Sequence, residues 1–363
     1  MESNFFVADT KAKYEMKDSL KADHYCRPSL LCQTISNALI LPSTDYDAFG
    51  IIGGGIVTEN GEYVDSSAYA EGCCRSYEMN ISNIQCEDET VVYAGFFLNC
   101  YGHGITDNIK KLWWLKQNSW EGKIIYITEL NAVLPAWQKE IFRLIGIDCD
   151  KWFHITTPMR FCKVIIPDNS IINNNEYRCF TDKFRWLIDC IKANIPNEGQ
   201  TYAKIYFTRT GIPNIWREYG ERKIEKVFKQ RGYQVISPEK LSVTEQIRLM
   251  MYCTHFASTE GSCAHNTLFC RPNTEVAILR KADYANSYQL MINKLAQLNI
   301  TYIDIHHSSR ADKLQPWHGP FYMCVTTYLA KYLDFYFYLP YWLHVSYWVY
   351  KRQAWSKYAK FLR

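Results

Sequence analysis

From residue 91 onward, the apolar and polar positions alternate between two rhythms. The runs VVYAGFFL, KIIYIT and FCKVIIP are short and almost wholly apolar, the pattern of strands buried on both faces of a parallel sheet. Between them, residues 103–117 and the stretch PAWQKEIFRLIG have the three-and-four spacing of helices, and TDKFRWLIDCIKANIP follows as another. This alternation predicts an α/β domain with a parallel sheet that ends near residue 195, with NIPNEGQ (194–200) as a linker. A second alternation begins at KIYFT (204–208). It continues through a helix over about 221–231, QVIS, a helix opened by Ser242 and Glu245, HFAST, a short helix from 263, EVAIL, another helix and ITYIDI. Ser242 and Glu245 have capping-box spacing, which fixes that helix start. Five strands alternating with four helices predict a Rossmann-like half.

Residues 1 to about 90 read as irregular, except IIGGGIVTENGEYV, whose two apolar runs joined at Asn60-Gly61 predict a hairpin. No helical pattern follows Gly53-Gly54-Gly55, so the glycines fit the hairpin better than a phosphate loop. The chain is therefore expected to be α/β: two Rossmann-like domains facing a central cleft, over residues 1–195 and 201–310, with a separate C-terminal segment over 311–363.

That segment has its own composition. Ten of the twenty-two residues in 329–350 are aromatic, and KRQAWSKYAKFLR adds five cations and no acid. Tyrosine and tryptophan favour the headgroup level of a bilayer, and cations favour anionic lipid. Tyr336, Tyr341, Trp342, Trp348, Lys351 and Arg352 are thus expected to touch a membrane interface; the alternative is a helix pair packed on the domains. The N-terminus lacks the basic and apolar regions of a signal peptide, which predicts a protein made and kept in the cytoplasm, peripheral on the inner face of the membrane. Fourteen cysteines without a CxxC pair support neither a disulfide framework nor a zinc site, and a net charge of +4 is too small for a nucleic-acid surface.

In open α/β sheets, ligands bind beyond the carboxyl ends of the strands, and three such places carry chemistry. The first is YGHGITD after VVYAGFFL. His103 and Asp107 share a helix face if the helix includes both, and the carboxylate would then orient the imidazole as a general base. If the helix starts at Thr106, Asp107 only complements the dipole and the pairing fails. The second is Arg209, leaving KIYFT, with Arg217 nearby; an arginine there can grip a phosphate or carboxylate in bidentate fashion. The third is STEGSCAHN, where Gly261 and Ser262 sit at a helix start suited to a diphosphate, with Glu260, His265 and Asn266 at the same edge. A plain strand-to-helix turn is the alternative there.

These stretches together resemble glycosyltransferase family 61, in its bacterial capsule-type form. The resemblance rests on His103-x-x-x-Asp107, on Thr208-Arg209, and on Gly232-Tyr233, Glu245-Gln246, Gly261, Asn266 and Phe269 in order. It covers about residues 50–305, most specifically 204–280. Two positions depart from it: Gly220-Glu221 stands where Asn-Glu is usual, and Glu260-Gly261 where His-Gly is common. The resemblance implies a GT-B-like fold and inverting, metal-independent transfer without a cofactor. The donor would be a nucleotide sugar, such as a UDP-sugar, and the acceptor an oligosaccharide, polysaccharide or glycolipid, with no nucleic acid involved. His103 with Asp107 would be the base. Arg209, Arg217, Glu260, Gly261, Ser262, His265 and Asn266 would hold the donor, with Ser237 and Pro238 at the nucleotide base. Rival expectations are a pyruvyl or other non-sugar transferase acting on polysaccharide, and a non-catalytic scaffold of a polysaccharide assembly complex.

Overall fold

The structure is a computed structural model that describes residues 3–47, 50–70, 72–78, 84–174, 177–212, 218–306 and 320–334. The C-terminal positions Tyr336, Tyr341, Trp342, Trp348, Lys351 and Arg352, and Arg217 in the second domain, lie outside the described residues. The chain divides into two compact units. One spans Asp23–Ile195, and the other joins Met1–Ala22 to Pro196–Arg363.

The chain opens with β1 (Ser3–Phe6) and α1 (Lys11–Lys21), both part of the second unit. The first unit holds β2 (Cys32–Leu41), β3 (Gly55–Val57), β4 (Gln85–Phe97), β5 (Ile124–Thr128), β6 (Phe153–His154) and β7 (Met159–Pro167). They form one sheet in the order β3-β2-β7-β4-β5-β6. Strands β7, β4, β5 and β6 run parallel, but β2 pairs antiparallel with both β7 and β3. The sheet is therefore mixed, not the all-parallel Rossmann form expected from residue 91 onward. The strand responsible lies in the stretch read as irregular, because the polar residues of CQTISNALIL hide its alternation.

The first unit's core explains the apolar runs. Val91, Tyr93, Phe96, Ile125, Ile127, Phe161 and Val164 are buried together. Helices α2 (Tyr101–Gly104), α3 (Leu112–Gln117), α4 (Ala136–Ile145) and α5 (Asp182–Ala193) complete the unit. The Asn60-Gly61 hairpin forms: Val57 bridges Tyr63 antiparallel, and Thr58 N–H donates to Glu62 O at 2.8 Å. Gly61 takes the left-handed φ of 85° that such a turn requires.

The second unit carries β8 (Lys204–Phe207), β9 (Gln234–Ile236), β10 (His255–Thr259), β11 (Glu275–Arg280) and β12 (Asn299–Asp304). With β1 they make a fully parallel sheet in the order β1-β12-β11-β10-β8-β9. The order reverses between β8 and β10, the kind of switch point at which α/β sheets open a crevice at their carboxyl ends. Helices α6 (Glu221–Gln230), α7 (Val243–Tyr252), α8 (Ser262–His265), α9 (Ser287–Leu295) and α10 (Thr327–Tyr332) flank or follow these strands. The Ser242–Glu245 capping box is present in both directions. β1 is the sixth strand, beyond the five expected: Ser3 to Phe6 register with Ile300 to Ile303.

No disulfide joins any of the fourteen cysteines. No helix among the described residues is long and apolar enough to cross a membrane.

Candidate active site

The stretch YGHGITD joins β4 to the helices behind it and starts two short helices, not one. α2 spans Tyr101–Gly104, and a single 3-10 turn spans Asp107–Ile109 with Thr106 as its N-cap residue. The His103–Asp107 pairing survives this break: Nδ1 of His103 lies 2.6 Å from Oδ2 of Asp107. Neither alternative read from the sequence holds: no single helix includes both residues, and Thr106 is an N-cap residue, yet the pair forms across the break.

Several contacts fix the turn. Thr106 donates its hydroxyl to Gly102 O at 2.9 Å. Asn108 closes on the end of β4 by accepting from Leu98 N–H and donating to Leu98 O, at 3.1 and 2.9 Å. Gly104 is required by contact: a Cβ there would sit 2.3 Å from the Trp137 ring. Asp107 is buried, whereas the His103 side chain is 31% exposed, so the pair has a sealed end and an open end. Burial opposes the Asp107 charge, yet the His103 hydrogen bond and the nearby Lys110 and Arg178 cations hold its carboxyl well below the usual range. The Tyr69 ring packs edge-on to the imidazole at 6.0 Å.

In the second unit, chemistry gathers at the switch point. Arg209 follows β8, and its Nε donates to Glu218 Oε2 at 3.1 Å. Lys281, just past β11, donates to the other oxygen of the same carboxylate at 2.7 Å. One carboxylate thus holds two cations side by side, and they keep Glu218 below its ordinary pKa against the effect of burial. Glu221 accepts from the Tyr206 hydroxyl at 2.9 Å and from Arg209 N–H at 3.3 Å, which anchors the loop; burial pushes its carboxyl up to about 7. The preceding Gly220 has φ 99°, and a Cβ there would meet Met323 O at 1.9 Å, so backbone approach dictates glycine.

Gly261 and Ser262 are partly exposed at the end of β10. α8 is one turn of four residues, so it has little macrodipole, and charge at this edge comes from Arg209 and Lys281. Glu260, His265 and Asn266 are buried. Burial raises Glu260 to about 7, against the pull of Arg280 and Lys281. His265 packs near the Tyr288 ring at 6.0 Å, and Asn266 donates its amide to Cys263 O at 3.3 Å. Ser237 and Pro238 follow β9 in a turn on which the Arg209 loop rests; a Cβ on Gly211 would lie 2.8 Å from Ser237 Oγ.

The structure thus brings together His103 with Asp107 in one unit, and Arg209 with the Ser237 turn in the other. Sequence reasoning missed Lys281 and Glu218. Lys281 directly follows the run EVAILR, so the rule about strand ends points to it; Glu218 lies in no periodic segment and left no signal.

Residues 101–277 match the sequence model of the family described as Glycosyltransferase 61. The match begins at the first residue of α2 and runs into β11, enclosing His103, Asp107, Arg209, Glu218 and Gly261. No curated protein matches the chain.

Proposed function

From the glycosyltransferase 61 match, which supports sugar transfer as the general activity, we propose that this chain moves a sugar from a nucleotide-sugar donor to an acceptor hydroxyl with inversion at the anomeric carbon. The observation that carries the reading is the 2.6 Å contact between a partly exposed His103 and a buried Asp107. With Nδ1–H donating to the carboxylate, the neutral imidazole has its lone pair on Nε2, and Asp107 stabilises the imidazolium that forms on proton uptake. His103 takes the acceptor proton as the oxygen attacks the anomeric carbon opposite the nucleotide. The C1–O bond to the diphosphate breaks, and the leaving group departs with the bonding electrons.

Arg209 and Lys281 neutralise the developing diphosphate charge. Glu218 holds both cations before the donor arrives, so little reorganisation is needed. The backbone of Gly261 and Ser262 contributes hydrogen bonds, and the turn at Ser237 and Pro238 faces the nucleotide base. No metal is invoked, because the two cations supply the positive charge. We assign the acceptor to a capsule-type surface polysaccharide on a lipid carrier, reached through the aromatic and basic C-terminal segment at the membrane face.

A thermal-shift panel of UDP-sugars, CMP-sugars and phosphoenolpyruvate on the full chain tests this. A nucleotide sugar at a hundred times its Kd stabilises by about 2.7 kcal/mol, a shift of several degrees. Stabilisation by phosphoenolpyruvate alone would replace sugar transfer with pyruvyl transfer.

A further inference from the structure

The Asp23–Ile195 unit contains a cavity of about 260 Å3 that the reaction above does not use. Asp107, Lys110, Asp168, Asn169 and Arg178 line its polar side, and Leu30 and Ile172 form part of an aliphatic wall. The polar groups are held in place. The Lys110 ammonium donates to the carbonyls of Tyr69 and Ala68. Asp168 accepts Leu31 N–H at 2.8 Å, and its own carbonyl accepts the Trp113 indole N–H at 2.9 Å. The carbonyl oxygen of the Asn169 side chain is sealed from solvent and finds no hydrogen-bond partner among the described residues. A buried acceptor left this way weakens the fold, and being closed even to water it faces protein; what the cavity holds is set by its other lining groups.

The mixture of groups narrows what that is. A sugar hydroxyl both donates and accepts, so a polyol needs both kinds of partner; here carboxylates accept, while an ammonium and a guanidinium donate. The aliphatic wall suits the C–H face of a pyranose. An anion is disfavoured, because Asp107 stands beside both cations and Asp168 adds a second carboxylate to the same lining. His103 is not among the lining residues, but its partner Asp107 is, so a ring held here lies one carboxylate away from the base.

We propose that this cavity is a subsite for one neutral sugar ring of the acceptor, next to the ring whose hydroxyl His103 deprotonates, which makes the acceptor at least a disaccharide. This rests on the reading of His103 as the base. Asp107 then has two duties: it orients the imidazole through Oδ2 and forms part of the floor on which the neighbouring ring rests.

The test is saturation-transfer NMR on the full chain with the methyl glycosides of glucose, galactose, mannose and N-acetylglucosamine. At least one should bind to the wild type. Asn169→Leu should weaken it about tenfold, and Ile172→Trp, which fills the cavity, should abolish it. Asn169→Leu should also melt at a higher temperature than the wild type without sugar, since it removes the orphaned acceptor; weaker binding then cannot be blamed on misfolding. If Ile172→Trp does not fold, Asn169→Leu decides alone. The absence of binding by all four glycosides, or equal binding by the variants, overturns the proposal. Nucleotide-sugar stabilisation measured in parallel separates the two readings. Glycoside binding lost in the variants with no donor stabilisation in any form keeps the cavity as a sugar site and removes the transferase reading.

Discussion

At His103 the arrangement joins an accessible imidazole to a buried carboxylate, and each half can be removed separately. His103→Ala should lower kcat of sugar transfer by about 10²–10⁴ with a smaller change in KM, measured by release of the nucleotide product. Asp107→Asn keeps the shape but no longer stabilises the imidazolium, and a loss of about 10² is expected. Unchanged turnover in either variant would sink the base assignment. Glu260 makes a separate prediction about stability. In the unfolded chain it ionises near 4.5, whereas burial holds its proton in the fold up to about 7. The folded state therefore binds more protons in that window, and Glu260's contribution to stability falls as pH rises from 4.5 to 7. Glu260→Gln removes this term, so its stability relative to wild type should rise by on the order of 2 kcal/mol between pH 5 and 7.5, read from urea titrations. A difference that stays flat with pH would show that Glu260 is not held protonated. The pairing of His103 with Asp107 was legible only as a spacing. Whether it formed depended on a helix break that Asn108, Gln138 and Trp137 impose from distant positions, and no local pattern encodes that.

Among the elements, apolar runs were the most legible part of the sequence. HFAST coincides with β10 and EVAIL with all but the last residue of β11, because Phe256 to Thr259 and Val276 to Leu279 are buried without a break, as in a strand covered on both faces. The segment 103–117 misled: its helical spacing is real, yet the chain divides it into α2, a 3-10 turn and α3. Strand β2 escaped notice because it is half exposed, and half-exposed strands with Ser, Asn and Thr resemble loops. Gly220 is the sharpest test at this scale. Its positive φ and the 1.9 Å approach of a Cβ to Met323 O leave no room for a side chain between β8 and α6. Gly220→Ala should destabilise by on the order of 3 kcal/mol in urea unfolding. It should also loosen donor binding, since Glu218 and Glu221 flank it. Stability within a few tenths of wild type would contradict the contact.

For the whole molecule, the C-terminal segment and the N-terminal strand each make a claim. Leu329 and Leu333 are buried in the core of the second unit, with Tyr332 packed beside them, so a truncation meant to remove only the aromatic tail should end at Asp334. In liposome flotation with anionic lipid, the full chain should float and the 1–334 truncation should stay at the bottom; equal flotation of both would remove the membrane assignment. The N-terminal strand has a consequence for how the protein is made. β1 pairs with β12, and Ala8 N–H donates at 2.8 Å to the Asp304 carboxylate that also binds Arg280. Ser3–Phe6 therefore wait for partners synthesised roughly three hundred residues later. At about 5–20 residues per second, the Asp23–Ile195 unit has tens of seconds to fold as a closed insertion while Ser3–Phe6 has nothing to pair with. Birth order and assembly order are thus inverted for β1: it is made before the Asp23–Ile195 unit and pairs after it. A nascent-chain complex stalled before β12 emerges should carry a protease-sensitive β1, and one stalled after it a protected β1.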